Sequence, residues 1–187
     1  MFCELELNKG SYIGLRAISE DDFPQMRKWA DDDEITHYMI MGMRPGAGVL
    51  FCGWDDLDVE YARFLKSEHD VIFAIDTEFG FIGIIGLYNI NWVARNAELR
   101  IIIGRPEFLG KGYGTYAIQL LLRYAFDKLN LHRVYLGCNH ADARANGCYK
   151  KCGFIFEGTS RDYHYRNGRY YDANHYGMLK EEWKKHV

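Results

Sequence analysis

The chain has 187 residues, of which 48% are hydrophobic and 26% charged, a length and balance that suit one globular domain burying roughly 70% of the surface its unfolded form exposes. That composition excludes intrinsic disorder and dependence on disulfide staples. With 23 lysines and arginines against 26 aspartates and glutamates, the net charge of −3 supplies no global basic field for nucleic acid or an anionic membrane, and it favours a cationic substrate over a polyanion.

Residues 1–7 alternate in polarity like a strand and unlike a signal peptide, and no apolar run in the chain reaches the ~18 residues of a membrane span. Residues 12–17 read as a strand. Ser19 ahead of Glu20, Asp21 and Asp22 sets an N-cap and first-turn acids before an amphipathic helix through Met26 and Trp29, with Pro24 early enough to be tolerated. Residues 42–53 are glycine-rich and aperiodic, a loop expected to edge a cleft, and a helix is expected over 55–66. Residues 71–76 and 81–89 form a hairpin around a turn at 77–80, and 97–103 adds a third strand to the meander. A helix over 113–129 carries Ile118, Leu121, Leu122, Ala125 and Phe126 on one stripe, and 133–137 follows as a short strand. A short helix over 142–151, a strand from Phe154 and a closing hairpin around Asn167 and Gly168 complete a mixed α/β sheet.

There is no repeat of fixed period, no low-complexity block and only three prolines, which argues for a single domain over 1–187. The cysteines, Cys3, Cys52, Cys138, Cys148 and Cys152, are odd in number and lack the spacing of a secreted framework. Reduced thiols in a cytoplasmic protein are the expectation.

The segment Leu109-Gly-Lys-Gly-Tyr-Gly-Thr115 joins an apolar strand to the long helix, where unpaired amide groups and the helix dipole favour anionic oxygen. Alternating glycines at 110, 112 and 114 let the main chain approach a ligand without β-carbons intervening, while Lys111 either pairs with phosphate or points into water. Glycines at such a turn also serve a purely conformational role. Two other phosphate motifs fail on spelling. A P-loop needs four residues between its first glycine and Gly-Lys, whereas Gly104 and Gly110 bracket five. A dinucleotide fold wants a third glycine where Thr115 stands and an acid where Cys138 and Asn139 stand.

Gly110-Lys-Gly-Tyr-Gly-Thr with its helix, then Leu131-His-Arg-Val, then Tyr149-Lys-Lys-Cys-Gly-Phe-Ile-Phe-Glu-Gly158, together resemble the GNAT acetyltransferases. The opening Ile13-Gly-Leu-Arg-Ala-Ile-Ser-Glu-Asp-Asp22 and the tail from Arg161 through Gly168-Arg-Tyr-Tyr-Asp172 to Leu179-Lys-Glu-Glu-Trp183 are similar to the ribosomal-protein N-acetyltransferase branch, RimJ/RimL-like. The resemblance covers most of the chain and is weak over 37–70. It implies an α/β fold whose mixed, mostly antiparallel central sheet is splayed between its fourth and fifth strands, with helices on both faces. It also implies acetyl-CoA as cofactor, held in the notch with its pyrophosphate on the amides of Leu109, Gly110, Lys111, Gly112, Tyr113, Gly114 and Thr115. Further cofactor contacts are implied at Ile101, Ile102 and Ile103 and at Asn139, Asn146 and Tyr149. The chain departs from the family where Leu109 replaces a usual Gln or Arg, and where Asp142 stands seven residues before Tyr149 in place of an Asn. An amide cradle survives the first change. The second sets a carboxylate near phosphate unless Asp142 caps the short helix and faces away.

A primary amine has a pKa near ~10, as lysine does, so it must lose a proton before attacking a thioester. The resemblance makes Glu98 the acceptor of that proton, directly or through water, with Asp162, His164 and His175 as weaker substitutes; the competing role for Glu98 is an exposed strand-end acid. It makes Tyr149 the proton donor to the departing thiolate, against a competing role as a packed aromatic. A main-chain amide of the 99–103 strand is expected to face the developing oxyanion. Cys138, His140, Cys148 and Cys152 lack the paired Cys-x-x-Cys spacing of common zinc sites, so no metal is expected. The run Asp31-Asp-Asp-Glu34 reads as solvated surface.

The expected reaction is direct acetyl transfer to a primary amine, either a protein N-terminus or a small molecule such as a polyamine, an aminoglycoside or an amino-sugar nucleotide. A non-catalytic CoA-binding module is the alternative from another class. Nucleic acid and membrane are not expected partners; a homodimer is compatible with the sequence.

Overall fold

The computed structural model describes residues 3–7, 11–30, 32–38 and 67–186. The expected loop at 42–53 and helix at 55–66 lie outside the described residues. Eight strands form one sheet: β1 (Cys3–Leu7), β2 (Ser11–Ala17), β3 (Val71–Thr77), β4 (Gly80–Asn91), β5 (Asn96–Ile103), β6 (Arg133–Asn139), β7 (Ile155–Arg166) and β8 (Arg169–Leu179), in the order β1-β2-β3-β4-β5-β6-β8-β7. Every neighbouring pair is antiparallel except β5 and β6.

The parallel pair positions the site. It is joined only at Asn96–Arg133, Ala97–Val134 and Glu98–Tyr135. Beyond Glu98 the strands part, and alternate main-chain groups over 99–103 have no strand to bond on that side among the described residues. These are the fourth and fifth strands of the resemblance; they carry higher numbers here because Cys3–Leu7 adds a strand ahead of them.

Side-chain alternation on β4 and β5 divides the core between two faces. Ile85, Leu87, Ala97 and Leu99 are buried on the face covered by α3 (Tyr113–Arg123), whose Ala117, Ile118, Leu120, Leu121 and Leu122 are themselves buried. Ile84 and Tyr88 face the other way, against Phe23, Met26 and Trp29 of α1 (Phe23–Ala30). The face that receives α1 is also the face to which Glu98, Arg100 and Ile102 point by the same alternation.

Ser19 starts the α1 region as expected. Its N–H and hydroxyl both donate to Asp22, at 2.8 and 3.2 Å, and residues 20–22 form a 3-10 turn before the α-helix proper. The long helix is α-helical only to Arg123 and opens into a wider turn over Tyr124–Lys128, closed by Leu129 N–H to Tyr124 O at 3.1 Å. That extra residue in the turn ends the apolar stripe with Ala125 and Phe126 still buried. A short α2 (Asp33–Thr36) follows α1, and α4 (Ala143–Lys151) follows β6. A terminal α5 (Lys180–His186) was not legible as an element, being too short for a periodic signal; Trp183 anchors it against Phe126, with ring centroids 6.2 Å apart.

Candidate active site

The segment after β5 makes a 3-10 turn at Pro106–Phe108, and Leu109 N–H closes on Pro106 O at 3.0 Å. Gly110 and Gly112 then take φ of +73° and +93°, a region side chains disfavour, and Gly112 caps α3. The helical ladder begins with Tyr116 N–H to Gly112 O at 3.1 Å. The amides of Tyr113, Gly114 and Thr115 therefore precede it and lack an intrahelical acceptor.

The parted ends of β5 and β6 open a cleft of about 390 Å³, walled by β5 and the start of α3 on one side and by β6 and α4 on the other. Leu109, Gly110, Gly112, Gly114 and Thr115 line it. A β-carbon on Gly110 would meet no atom within 4 Å, and one on Gly114 would find only Ile101 and Cys148, at 3.9 and 4.0 Å. At Gly110 the positive φ itself calls for glycine; at Gly114 neither φ nor packing among the described residues does, and Gly114 lines the cleft, which a side chain there would narrow. Opposite these amides Arg144 and Lys151 line the cleft. A dipole-backed row of unbonded amides faced by two cations fits a pyrophosphate.

Of the residues singled out in the sequence, Glu98, Ile101, Ile102, Ile103, Leu109, Gly110, Gly112, Gly114, Thr115 and Tyr149 come together on the cleft. Lys111 and Tyr113 do not: Lys111 is exposed, and Tyr113 packs edge-on against Phe108 at 5.1 Å. Asn139 and Asn146 also fall outside the lining, because both amides are spent on internal structure. Asn139 accepts from Ala141 N–H at 2.9 Å and meets His164 Nε2 at 3.3 Å. Asn146 donates to Asn139 O and Asp142 O at 2.9 and 2.7 Å, and accepts from Asn174 and the Tyr176 hydroxyl, each at 2.7 Å. This buried network ties α4 to β6 and β8 and so fixes one wall.

Asp142 is the N-cap of α4, accepting from Ala145 N–H at 2.9 Å. The cap engages one carboxylate oxygen, but Asp142 also lines the cleft, on the same wall as Arg144 and Lys151, so its negative charge is set beside those two cations.

Glu98 does not stand alone. Arg100, two residues along the same strand face, donates through Nε to Oε1 at 3.0 Å and through Nη2 to Oε2 at 2.7 Å, and Asn89 adds a donor at 3.2 Å. The guanidinium lies over the Tyr88 ring, 4.7 Å from its centroid. Burial alone lowers the pKa of Arg100, but the Glu98 carboxylate outweighs it and the net shift is upward. Tyr88 and Arg100 both line the cleft and were missed in the sequence; the i, i+2 spacing of Glu98 and Arg100 on a strand was the available signal.

Tyr149 is buried, its ring edge-on to Phe154 at 6.2 Å and tilted against Tyr176 at 6.0 Å. Its hydroxyl has no hydrogen-bond partner among the described residues, and burial pushes its pKa well above the ordinary tyrosine value. Cys148 reaches the cleft beside it, 3.4 Å from the Thr115 hydroxyl. Hydrogen bonding from Cys152 draws the Cys148 thiol below its usual range and pushes Cys152 up. Arg144, Cys148 and Lys151 sit at i, i+4, i+7, one helical face, a spacing that the sequence also carried.

Residues 13–155 match the acetyltransferase (GNAT) domain, and the chain belongs to that family. It is an acetyl-CoA-dependent N-acetyltransferase. Its relatives include the spermidine N(1)-acetyltransferase of Vibrio cholerae, 34% identical over 174 residues that span 92% of this chain and 96% of that protein. They also include the putative ribosomal N-acetyltransferase YdaF of Bacillus subtilis, 38% identical over 102 residues, 54% of this chain and 55% of that protein. Among solved structures, the Vibrio cholerae spermidine N-acetyltransferase in complex with CoA and spermine superposes with a TM-score of 0.81 at 28% identity, covering 92% of this chain and 98% of that one. No helix among the described residues is long and apolar enough to cross a membrane.

Proposed function

We propose that the acceptor is a small aliphatic polyamine, acetylated on a primary amine at the α1 side of the cleft by a single-domain, cytoplasmic enzyme. The observation that carries this reading is the lining at that end. Glu34 and Glu98 supply carboxylates, Tyr38 and Tyr88 supply aromatic faces, and Ile35 and Ile84 supply apolar wall. With Glu98 paired to Arg100 and assigned to the proton transfer, Glu34 is the other carboxylate among the described residues at that end to hold a second ammonium group, and aromatic faces attract cations as well. An extended chain of methylenes between ammonium groups matches such a mixed lining better than a folded peptide does. The likeness to spermidine N-acetyltransferases over nearly the whole chain supports the same choice.

When bound, acetyl-CoA supplies the thioester carbonyl that the amine attacks. In this reading the Gly114 and Thr115 amides hold its pyrophosphate, with Arg144 and Lys151, which also line the cleft, completing the anion site. The open edge of β5, at Ile101, Ile102 and Ile103, bonds the rest of the cofactor as an added strand would and turns an amide toward the developing negative charge. Glu98, held by Arg100 and Asn89, accepts the proton released by the amine. Tyr149, on the opposite wall, keeps its proton through the neutral range and gives it to the leaving sulfur.

The test is acetyl transfer measured against spermidine, spermine, a diamine, a simple monoamine and N-terminal peptides. The highest kcat/KM is expected for a polyamine, with Glu34→Gln raising the KM for that acceptor and leaving the KM for acetyl-CoA unchanged. A peptide N-terminus outperforming every polyamine would sink the reading.

A further inference from the structure

The β7–β8 hairpin is tied to a segment 130 residues earlier. Arg166, the last residue of β7 before the Asn167-Gly168 turn, is buried. Its guanidinium donates to the main-chain oxygen of Thr36 and, at 3.1 Å, to the Thr36 hydroxyl. Thr36 is also buried, is the last residue of α2, and donates its own hydroxyl to Asp32 O at 2.8 Å.

A helix of four residues cannot sustain itself, since a helix much shorter than ~12 residues is unstable in water. Its position is therefore set by its surroundings: Ile35 packs on the cluster of Phe23, Met26 and Trp29, and the two ends of the helix are gripped by hydrogen bonds. At the N-terminus Asp32 accepts from Glu34 and Ile35 N–H at 2.9 and 3.2 Å. At the C-terminus the orphan carbonyl of Thr36 meets a cation, the partner that both the unsatisfied group and the helix dipole favour. The planar guanidinium reaches carbonyl and hydroxyl together, so it fixes orientation as well as distance. Glu34, Ile35 and Tyr38, which flank Thr36, form the acceptor end of the cleft, whereas Arg166 does not line it.

We propose that Arg166 is a positioning residue for the acceptor: by clamping Thr36 it holds Glu34 and Tyr38 where the distal ammonium of a polyamine lies. The hairpin thereby sets acceptor selectivity from outside the cleft. This inference rests on the polyamine reading above.

The experiment uses the full chain with Arg166→Met, which keeps bulk and removes the donors, alongside Arg166→Lys and Thr36→Val. For Arg166→Met the KM for spermidine should rise about tenfold, the loss of roughly 1.4 kcal/mol of acceptor binding. The KM for acetyl-CoA and the turnover of a short monoamine, which does not reach 34–38, should stay within twofold of wild type. Arg166→Lys should recover part of the defect, and Thr36→Val, which keeps the main-chain acceptor, should show a smaller shift in the same direction. Amide hydrogen exchange over 32–38 should quicken in all three.

An unchanged spermidine KM in folded Arg166→Met overturns the proposal. So does a uniform loss across spermidine, monoamine and acetyl-CoA, which is the signature of general structural damage. Should Arg166→Met fail to fold, unchanged KM values in both other variants overturn it equally. If wild-type enzyme shows no preference for polyamines, the acceptor reading fails by itself, and exchange over 32–38 still decides the clamp: unaltered exchange in the variants removes it.

Discussion

Glu98 and Tyr149 stand on the elements that flank the gap between β5 and β6, one at each end of the proposed proton path. Glu98→Gln keeps the shape and the Asn89 and Arg100 neighbours but cannot take a proton, so turnover should fall by about 10² to 10⁴, partly recovered at high pH where free amine is abundant. Tyr149→Phe should depress kcat with little change in the KM for either substrate, because the donated proton matters only in the transition state. Since burial holds the Tyr149 pKa above its ordinary value, its hydroxyl stays protonated through and beyond neutral pH. Any rise of rate toward alkaline pH therefore belongs to deprotonation of the amine. Wild-type rates for both variants, under conditions where chemistry limits turnover, would reduce Glu98 to a partner of Arg100 and Tyr149 to packing. Gly114 belongs to the same scale: the single β-carbon of Gly114→Ala would meet only Ile101 and Cys148, at 3.9 and 4.0 Å, so acetyl-CoA affinity should drop in calorimetry while the melting temperature of the ligand-free protein barely moves.

At the level of elements, two of the contacts that attach α1 to the sheet respond to different changes. Asp22, just ahead of α1, accepts from Arg16 at 2.7 and 2.8 Å. Burial tends to raise its pKa, but hydrogen bonds from Arg16 and the Ser19 amide prevail and the net shift is downward. A depressed carboxyl contributes stability that is complete above its unfolded pKa near ~4 and lost as pH falls through the lower folded value. Asp22→Asn should therefore cost roughly 1 to 3 kcal/mol at pH 7, and the gap to wild type should narrow below about pH 4 in urea titrations. An identical gap at all pH values would assign the loss to something other than the charge. Gly104 makes the second contact. A β-carbon there would lie 1.9 Å from the buried Trp29 ring, so Gly104→Ala should destabilise by about 1 to 3 kcal/mol or push α1 off the sheet. A melting temperature equal to wild type would show that the ring has room to move.

For the molecule as a whole, the cleft is a place where the sheet declines to close. β5 and β6 pair at three positions and then part, so the two halves of the sheet are joined there by few hydrogen bonds. A ligand bridging both walls adds contacts that the sheet itself lacks. At a concentration about a hundred times its Kd, acetyl-CoA should add ~2.7 kcal/mol to stability, a rise of roughly 5 to 10 °C in melting temperature for a chain of this size. Scanning fluorimetry at millimolar cofactor tests this, and no shift together with no calorimetric heat would contradict binding in the cleft. Hydrogen exchange should slow on both walls at once, in 99–103 and in α4.

The residues alone determined the order of strands and helices around the loop, because periodicity of 2 and 3.6 and the glycine spacing from 110 to 114 are local properties that survive without knowledge of neighbours. They also determined the family, through motifs whose meaning lies in spacing. What only the tertiary structure decided is which side chains are available. Asn139 and Asn146 have the chemistry of ligand contacts, yet Ala141, His164, Asn174 and Tyr176 take up their hydrogen-bonding capacity. Glu98 reads as a lone acid until Arg100 folds onto it, and Asp142, an isolated acid in the sequence, caps α4 while still lining the cleft. Hydrogen-bond partners distant in sequence settle each of these cases except Glu98 and Asp142, whose partners are near in sequence but depend on strand alternation and helix start being realised. The tie from Arg166 to Thr36 is the extreme instance: a contact across 130 residues leaves no periodic trace in either segment, and only the folded sheet brings the two together.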